Sequence, residues 1–318
     1  MPPADRSPRL GYALAASAAT LWALNGSIAR FLLDDHMPAA RLAELRSVCT
    51  FVAIGAALAL YRPRMLRVER RDLRQFVLFG MVGLSGVTAF YFAAIARLEI
   101  GVALTIQYLG PVLLLVWLKL VHRRSLPGSL WTVAALSVIG CFFVVGAYQP
   151  GALNAVGIAA ALGSMVTFAI YLFAAEKLGQ RYAPATTLAW GFGLSSVFWL
   201  VTQPIWTFPL APLSSTRNVL FALYVVIGGT LIPFACMIAA TRHLPAARAG
   251  VVATLEPVLG AALAWPIHGQ RLAPLQIAGG LVVIGAVVWV QTQRPQLESE
   301  LAPVTPRPGA AQAAAHVE

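Results

Sequence analysis

The spacing of its charged residues constrains this chain most. Charges occur in clusters, and long apolar stretches without Asp, Glu, Lys or Arg separate them, for example between Arg9 and Arg30 and between Arg181 and Arg217. A helix needs about 20 apolar residues to cross the hydrocarbon core of a bilayer. Charged residues make up only 11% of the chain, whereas soluble domains have about 25%. The sequence therefore predicts an all-α integral membrane protein.

Apolar runs bounded by charges, prolines and glycines predict ten transmembrane helices. The turn Gln149-Pro150-Gly151 divides the longest uncharged interval into two of them. The predicted ranges are 10–32, 39–61, 75–96, 100–121, 127–147, 152–175, 185–204, 218–240, 246–267 and 273–292. Residues 1–9 are predicted to form a cytoplasmic N-terminus, and residues 293–318, which lack an apolar face, a disordered cytoplasmic tail.

The basic residues predict the orientation of the chain. If both termini are cytoplasmic, the cytoplasmic segments carry all but six of the 23 Lys and Arg residues. The six are Arg30, Arg41, Arg46, Arg97, Arg217 and Arg271. Because cytoplasmic loops are enriched in Lys and Arg, this bias predicts a multi-pass protein of the inner (plasma) membrane with both termini inside. The net charge of +11 thus reflects topology and does not indicate nucleic acid as a partner.

The chain also contains an internal repeat. A shift of 146 residues places Pro111 on Pro257 and His122 on His268. Each half holds five helices, an odd number, so the halves 10–147 and 152–292 must have opposite orientations in the membrane. Inverted repeats with interrupted helices indicate a transporter whose substrate site lies near the midplane. The alternative is that the two prolines only kink helices four and nine for packing.

Several stretches over residues 10–292 resemble the EamA family of the drug/metabolite transporter superfamily. They are LWALNGSIARFLL (21–33), the start of helix two around Arg46, RLEIGVALTIQYLGPVLLL (97–115), MVTFAIYLFAAEKL (165–178), RAGVVATLEPVLGAALAW (248–265) and LQIAGGLVVIGAVV (275–288). The resemblance implies export of small metabolites, often amino acids or related compounds, from the cytoplasm. Members commonly end helices four and nine with Gly-Glu, where this chain has Arg123-Arg124 and Gly269-Gln270, so no role of that glutamate carries over.

Glu256 is the leading candidate for substrate contact. It lies about nine residues into predicted helix nine, so at 1.5 Å per residue it is roughly 14 Å deep in the bilayer. A carboxylate at that depth is expected to face a polar cavity or a partner. We therefore expect Glu256 to bind an amino group of the substrate or to carry a coupling proton. The alternative is a neutral acid that hydrogen-bonds a carbonyl freed by Pro257.

Polar and aromatic residues at helical spacing extend the predicted site. Gln107 and Tyr108 are polar groups in an apolar span and should point inward, because an unsatisfied amide is costly in lipid. Trp22 and Asn25 share one face of helix one, and the repeat places Phe168 and Tyr171 at the matching positions. The predicted substrate-binding residues are Trp22, Asn25, Tyr91, Gln107, Tyr108, Tyr171, Trp190 and Glu256, with Pro111 and Pro257 as helix kinks. For each aromatic residue, packing or an interfacial position is the alternative.

Other candidates have weaker support. Arg46 is close to Glu44 near the outer end of helix two, and a snorkelling or salt-bridged structural role is favoured over anion binding. His122 and His268 lie at helix ends on opposite membrane sides, and Asp34-Asp35 lacks further ligands, so the sequence indicates neither a metal nor a cofactor. Clustered catalytic residues and a phosphate-binding loop are missing, which speaks against an enzyme or an ATP-driven pump. Alternating-access export of a small metabolite is predicted, with proton coupling, oligomeric state, uptake and a non-transporting accessory or sensor role left open.

Overall fold

The fold is a bundle of membrane helices. The computed structural model describes residues 7–95, 97–98, 103, 106–121, 128–144, 154–268 and 273–292. Within these residues the chain forms ten helices, labelled α1 to α10, as the sequence predicts. The six regular helices are α1 (Pro8–Asp34), α2 (Ala39–Tyr61), α5 (Gly128–Val144), α6 (Ala155–Arg181), α7 (Pro184–Thr202) and α10 (Pro274–Thr292). The predicted tail, 293–318, lies outside the described residues, as do residues 1–6 of the predicted N-terminus.

The other four helices change their geometry along their length. Helix α3 comprises Leu73–Val77, a π-helical segment Leu78–Ser85 and Gly86–Ile95, and α8 comprises Thr216–Val226, a π-helical segment Ile227–Leu231 and Ile232–Ala240. Helix α4 contains Gly110–Leu120, and α9 contains Ala246–Ala253 and Leu255–His268. By length and composition alone, five described helices, α2, α3, α6, α7 and α8, are able to cross a membrane.

The helix ends follow from local sequence signals. Prolines occupy the first positions of α1, α7 and α10, where the missing N–H costs nothing. The Asn154 side chain caps α6 by accepting a hydrogen bond of 3.0 Å from the Gly157 N–H. Helix α6 then continues to Arg181, six residues beyond its predicted end at 175, because Ala174, Ala175 and Leu178 pack into the core.

Helix packing shows the repeat directly. Helix α1 packs against α8 and α9, and its counterpart α6 packs against α3 and α4. Helix α2 packs against its own counterpart α7, and α5 packs against α10. Each packing pair therefore recurs when five is added to, or subtracted from, both helix numbers, as a two-fold relation between the halves requires. The prediction of a five-plus-five inverted repeat is confirmed.

The π-helical segments of α3 and α8 occupy corresponding positions of the repeat. The 146-residue shift superimposes 81–85 on 227–231. In each segment a hydroxyl donates to the carbonyl five residues earlier: Ser85 Oγ to Gly80 O at 3.2 Å, and Thr230 Oγ1 to Val225 O at 2.7 Å. Such π-bulges occur frequently at functional sites. Both halves thus depart from regular helix at the same place.

Side-chain contacts sort the loops onto two faces of the bundle. On one face the Asp72 carboxylate, before α3, accepts from Arg181 and from the Tyr182 hydroxyl after α6, each at 2.5 Å. On the other face Asp35, after α1, accepts from Asn218 at 2.8 Å and from Arg217 at 2.6 Å, near the start of α8. These hydrogen bonds lower the pKa of Asp35 below its ordinary value. The alternation of faces agrees with ten membrane crossings.

Helices α5 and α10 approach each other closely because small residues lie between them. A Cβ added at Gly140 would lie 2.8 Å from the Gly279 carbonyl oxygen and 2.6 Å from Val283 Cγ2. Small residues permit such backbone approach, and van der Waals packing then supplies much of the association between helices in lipid. A Cβ added at Gly285, on α10 itself, would meet no atom within 4 Å.

We therefore expect Gly140→Ala to destabilise the bundle by about 1–3 kcal/mol, the usual cost of overpacking. The matched control Gly285→Ala should leave stability unchanged or slightly improved, since alanine is the better helix former. Thermal unfolding of both purified variants in detergent measures the difference. An equal effect of the two substitutions would show that the α5–α10 contact is not tight.

Candidate functional site

Helices α4 and α9 are interrupted at repeat-related positions. In α9 the first segment ends at Ala253 and the second begins at Leu255, with Thr254 in a turn. In α4 a turn at 108–109 precedes the segment that begins at Gly110. The sequence predicted interruptions at Pro111 and Pro257, and within the described residues the predicted ranges 100–121 and 246–267 each contain a break just before the proline.

The two prolines that the internal repeat aligns lie just after these breaks. Pro111 and Pro257 each occupy the first turn of the second helical segment, where the missing N–H would have no intrahelical partner. The sequence predicted them as kinks, and the structure places them at the start of a new segment. Gly250, on the first segment of α9, packs against the Pro111 ring, so that α4 and α9 meet at their interruptions.

A hydrogen bond joins the two interruptions. The Tyr108 hydroxyl donates to Glu256 Oε2 at 2.7 Å. Glu256 lies in the first turn of its segment, where the positive end of the helix dipole favours a carboxylate. Ten residues separate it from the start of α9 at Ala246, which corresponds to about 15 Å and the middle of the hydrocarbon layer. The predicted candidates Tyr108 and Glu256 are thus brought together at the midplane.

Three further groups surround Glu256 from neighbouring helices. Arg46 on α2, Tyr91 on α3 and Cys141 on α5 all lie within electrostatic range of its carboxylate. The Cys141 thiol also lies 3.8 Å from the Thr254 carbonyl at the break in α9. Ion pairs among the described residues do not include one between Arg46 and Glu256. A cation and an anion therefore face the same region without direct contact.

Arg46 is a residue to which the sequence assigned a structural role and which the structure brings near the predicted site. The sequence favoured a snorkelling or salt-bridged role beside Glu44. The Glu44 carboxylate instead pairs with Arg41 at 2.8 Å, near the N-terminal end of α2. Arg46 instead donates to Thr88 Oγ1 at 3.3 Å. The i, i+3 spacing of Arg41 and Glu44 favours an ion pair between them. This spacing could have indicated from the sequence that Glu44 is not the partner of Arg46.

An aromatic cluster adjoins this charged region. The Phe234 ring on α8 packs edge-on against Trp22, Tyr171 and Phe192, with centroids 5.1, 5.7 and 5.4 Å apart. The Arg46 guanidinium lies 6.0 Å from the Phe234 centroid. Trp22 and Tyr171 were predicted, whereas Phe234 and Phe192 gave no signal, because a phenylalanine in an apolar helix is indistinguishable from core.

Two predicted residues bury polar atoms that have no hydrogen-bond partner in the described part of the chain. They are Asn25 Oδ1 and the Tyr171 hydroxyl, which the repeat places at matching positions. Asn25 packs against the backbone of Gly229 in the π-helical segment of α8. A buried polar group without a partner is costly and calls for an explanation, such as a ligand.

The remaining predicted residues have structural partners. Gln107 Oε1 accepts a hydrogen bond of 2.6 Å from Ser164 Oγ, which ties α4 to α6. Trp190 lies apart from the cluster, because its indole N–H donates to the Leu66 carbonyl at 2.9 Å in the loop after α2. His122 lies outside the described residues. The described residues contain no group of three His, Cys, Asp or Glu side chains able to hold a metal ion.

The region near the midplane combines the Arg46 guanidinium, the Glu256 carboxylate with its donor Tyr108, and the aromatic cluster. It also contains two polar atoms, Asn25 Oδ1 and the Tyr171 hydroxyl, that have no partner among the described residues. Polar and ionisable groups inside a membrane protein mark substrate and ion pathways, because their burial is costly. The arrangement is thus suited to binding a small polar molecule that carries charge. Its place between repeat-related helix interruptions is typical of secondary transporters.

Comparison with known proteins identifies a family and several relatives of this chain. The model of the EamA-like transporter family matches residues 9–146 and 155–292. The threonine/homoserine exporter RhtA of Escherichia coli is 24% identical over 74% of this chain and 77% of its own length. An uncharacterized transporter of Pseudomonas aeruginosa is 29% identical over 83% and 87%, and the uncharacterized inner membrane transporter YicL of Salmonella typhimurium 22% over 89% and 96%. A crystal structure of a protein with 18% sequence identity matches with a TM-score of 0.74 over 92% of this chain and all of its own.

The hydrogen bond between Tyr108 and Glu256 should couple the two interrupted helices energetically. We expect Tyr108→Phe and Glu256→Met to be non-additive, with a coupling of about 1 kcal/mol or more in a double-mutant cycle. Unfolding of the single and double variants in detergent measures it. Tyr224→Phe is the matched control, since the buried Tyr224 hydroxyl has no hydrogen-bond partner. Additive effects of Tyr108→Phe and Glu256→Met would contradict the contact.

Proposed function

The chain belongs to the EamA-like transporter family, and from this premise we propose that it exports amino acids or related small metabolites across the inner membrane by alternating access. The family and its characterised relatives transport small molecules through a membrane. The name of one relative, the threonine/homoserine exporter, supports amino acids as the substrate and export as the direction.

One observation carries the proposal: the Tyr108–Glu256 hydrogen bond links two repeat-related helix interruptions at mid-bilayer. In an inverted repeat, rocking one half against the other exposes a central site first to one side and then to the other. Groups at the interruptions are reached from both sides. A substrate bound there would replace contacts between α4 and α9 and thereby favour the change of state.

Proton coupling is part of the proposal, and Glu256 is its carrier. The titratable and charged groups that face it are Tyr108 on α4, Arg46 on α2, Tyr91 on α3 and Cys141 on α5. A carboxylate held away from water exchanges between a charged form, which binds a cationic amine, and a neutral form, which releases it. Protonation from the outer side would then drive the substrate out of the site.

The orientation of the chain in the membrane is also proposed from the basic residues. The face with Asp72 and Arg181 carries the run of arginines from Arg62 to Arg74, so it is assigned to the cytoplasm. The same face holds the start of α1, since the Ser7 N–H donates to His243 Nδ1 in the loop between α8 and α9. We therefore propose that the N-terminus is cytoplasmic.

Transport is tested in proteoliposomes loaded with labelled threonine. Wild-type protein should release threonine, and release should accelerate when a proton gradient directed into the liposomes is imposed. Glu256→Gln should lose this acceleration, because the amide does not exchange a proton. Glu69→Gln, an exposed carboxylate on the cytoplasmic face, is the matched control and should behave as wild type. An unchanged gradient response in Glu256→Gln would remove Glu256 from coupling, and uptake in place of release would reverse the proposed direction.

Sidedness is tested with single cysteines in a chain whose native Cys49, Cys141 and Cys236 are replaced by alanine. In intact cells, Ser214→Cys in the loop before α8 should react with an impermeant maleimide. Ser7→Cys should react only after the membrane is opened. Both serines are exposed, so burial does not limit the reaction. The reverse pattern would invert the proposed topology.

A further inference from the structure

Resting on the proposed function, we infer that the substrate is an α-amino acid bound as a zwitterion, with its carboxylate on Arg46 and its ammonium on Glu256. This assigns a binding role to Arg46 and divides the recognition of the substrate between the two halves of the chain, since Arg46 belongs to α2 and Glu256 to α9.

Arg46 has few partners for a guanidinium that is half-buried within the bundle. Within the described residues its five N–H donors make one side-chain hydrogen bond, to Thr88 Oγ1 at 3.3 Å, and the buried Nε atom has no partner there. A charge at this depth of a membrane protein requires a compensating anion or polar cavity. A carboxylate is the anion that guanidinium binds best, through two parallel hydrogen bonds.

The position of Arg46 also fits a substrate site between the halves. Its guanidinium contacts Thr88 on α3 and the Phe234 ring on α8. The 146-residue shift superimposes these two residues, so Arg46 reaches the centre of the inverted repeat. A group at that point faces the substrate in both states of an alternating-access cycle.

Glu256 supplies the complementary half of the site. Tyr108 donates to Oε2, and within the described part of the chain Oε1 has no hydrogen-bond donor. The charges of Arg46 and Glu256 act on each other without forming an ion pair. A molecule with both charges on neighbouring atoms can bridge them, whereas a simple cation would meet Arg46 and a simple anion would meet Glu256.

The groups beside this charged pair fit the rest of an amino acid. The aromatic wall of Trp22, Tyr171 and Phe234 gives a surface for an apolar side chain. The unpartnered atoms, Asn25 Oδ1 and the Tyr171 hydroxyl, offer hydrogen bonds to a hydroxyl-bearing side chain. Threonine is therefore a suitable probe.

The test compares release of three molecules from proteoliposomes, each quantified by mass spectrometry. Threonine carries both charges, threoninol lacks the carboxylate, and 3-hydroxybutyrate lacks the amine. Wild-type protein should release threonine about tenfold faster or more than either analogue, since each loses a charge-assisted hydrogen bond. In the purified protein, threonine but neither analogue should raise the unfolding temperature.

Variants then assign the two ends of the substrate. Arg46→Gln should slow threonine about tenfold and leave threoninol release at its wild-type rate, whereas Arg46→Lys should retain part of the preference. Glu256→Gln should slow threonine and leave 3-hydroxybutyrate unchanged. Arg41→Gln is the matched control, because the buried Arg41 pairs with Glu44 away from the site, and its ratio of threonine to threoninol should equal that of wild type.

Each outcome decides between the inferences. Equal release of threonine and threoninol by wild-type protein would overturn the zwitterion site and leave the proposed transport function standing. An equal loss for all molecules in Arg46→Gln would give Arg46 a structural role and also overturn the inference. Release of none of the three, with no thermal shift, would remove the proposed amino acid substrates themselves. If Arg46→Gln does not fold, the wild-type comparison and Arg46→Lys decide.

Discussion

The need to satisfy every backbone polar group inside a bilayer determines most of this structure. Lipid offers no hydrogen bonds, so the chain crosses the membrane as helices, and irregular backbone is tolerated only where protein surrounds it. The four departures from regular helix, in α3, α4, α8 and α9, all lie in the interior of the bundle and occur at repeat-related positions. The place where the backbone is least regular is therefore also the place where polar side chains collect.

The architecture could be predicted because it depends on the order of charged, apolar and proline residues along the chain. Charge clusters bound the helices, and the register of Pro111 with Pro257 reveals the repeat. The composition of the site was harder, because it depends on helix rotation and on long-range contacts. Glu256 and Tyr108 were found as polar groups in apolar spans. For Arg46 a snorkelling or salt-bridged role was favoured because Glu44 is close in sequence, whereas the structure shows that Glu44 pairs with Arg41. The separation of Trp190 from the cluster likewise depends on a loop, whose Leu66 carbonyl binds the indole.

The repeat relates the backbones of the two halves more closely than their side chains. The 146-residue shift aligns Arg46 with Phe192, Tyr108 with Thr254, and Gly110 with Glu256. Backbones related by a two-fold axis permit two states of the bundle in which the halves exchange conformations, as alternating access requires. Asymmetric side chains give the centre a cationic side and an anionic side. A ligand would consequently bind in one orientation, although the helices around it are related by an approximate two-fold axis.

The two arginines in the first half of α2, Arg41 and Arg46, differ in how their charges are compensated. Arg41 is neutralised by Glu44 and held by the Pro204 carbonyl, so its position is fixed by the protein alone. Arg46 forms no ion pair with any carboxylate of the described residues. A charge at the bilayer centre costs about 2.5–3.5 kcal/mol on insertion scales, and a helix dipole returns only about 0.3–1 kcal/mol to a nearby carboxylate such as Glu256. The central charges are therefore incompletely stabilised by the protein, and a ligand that neutralises both would stabilise the fold as it binds.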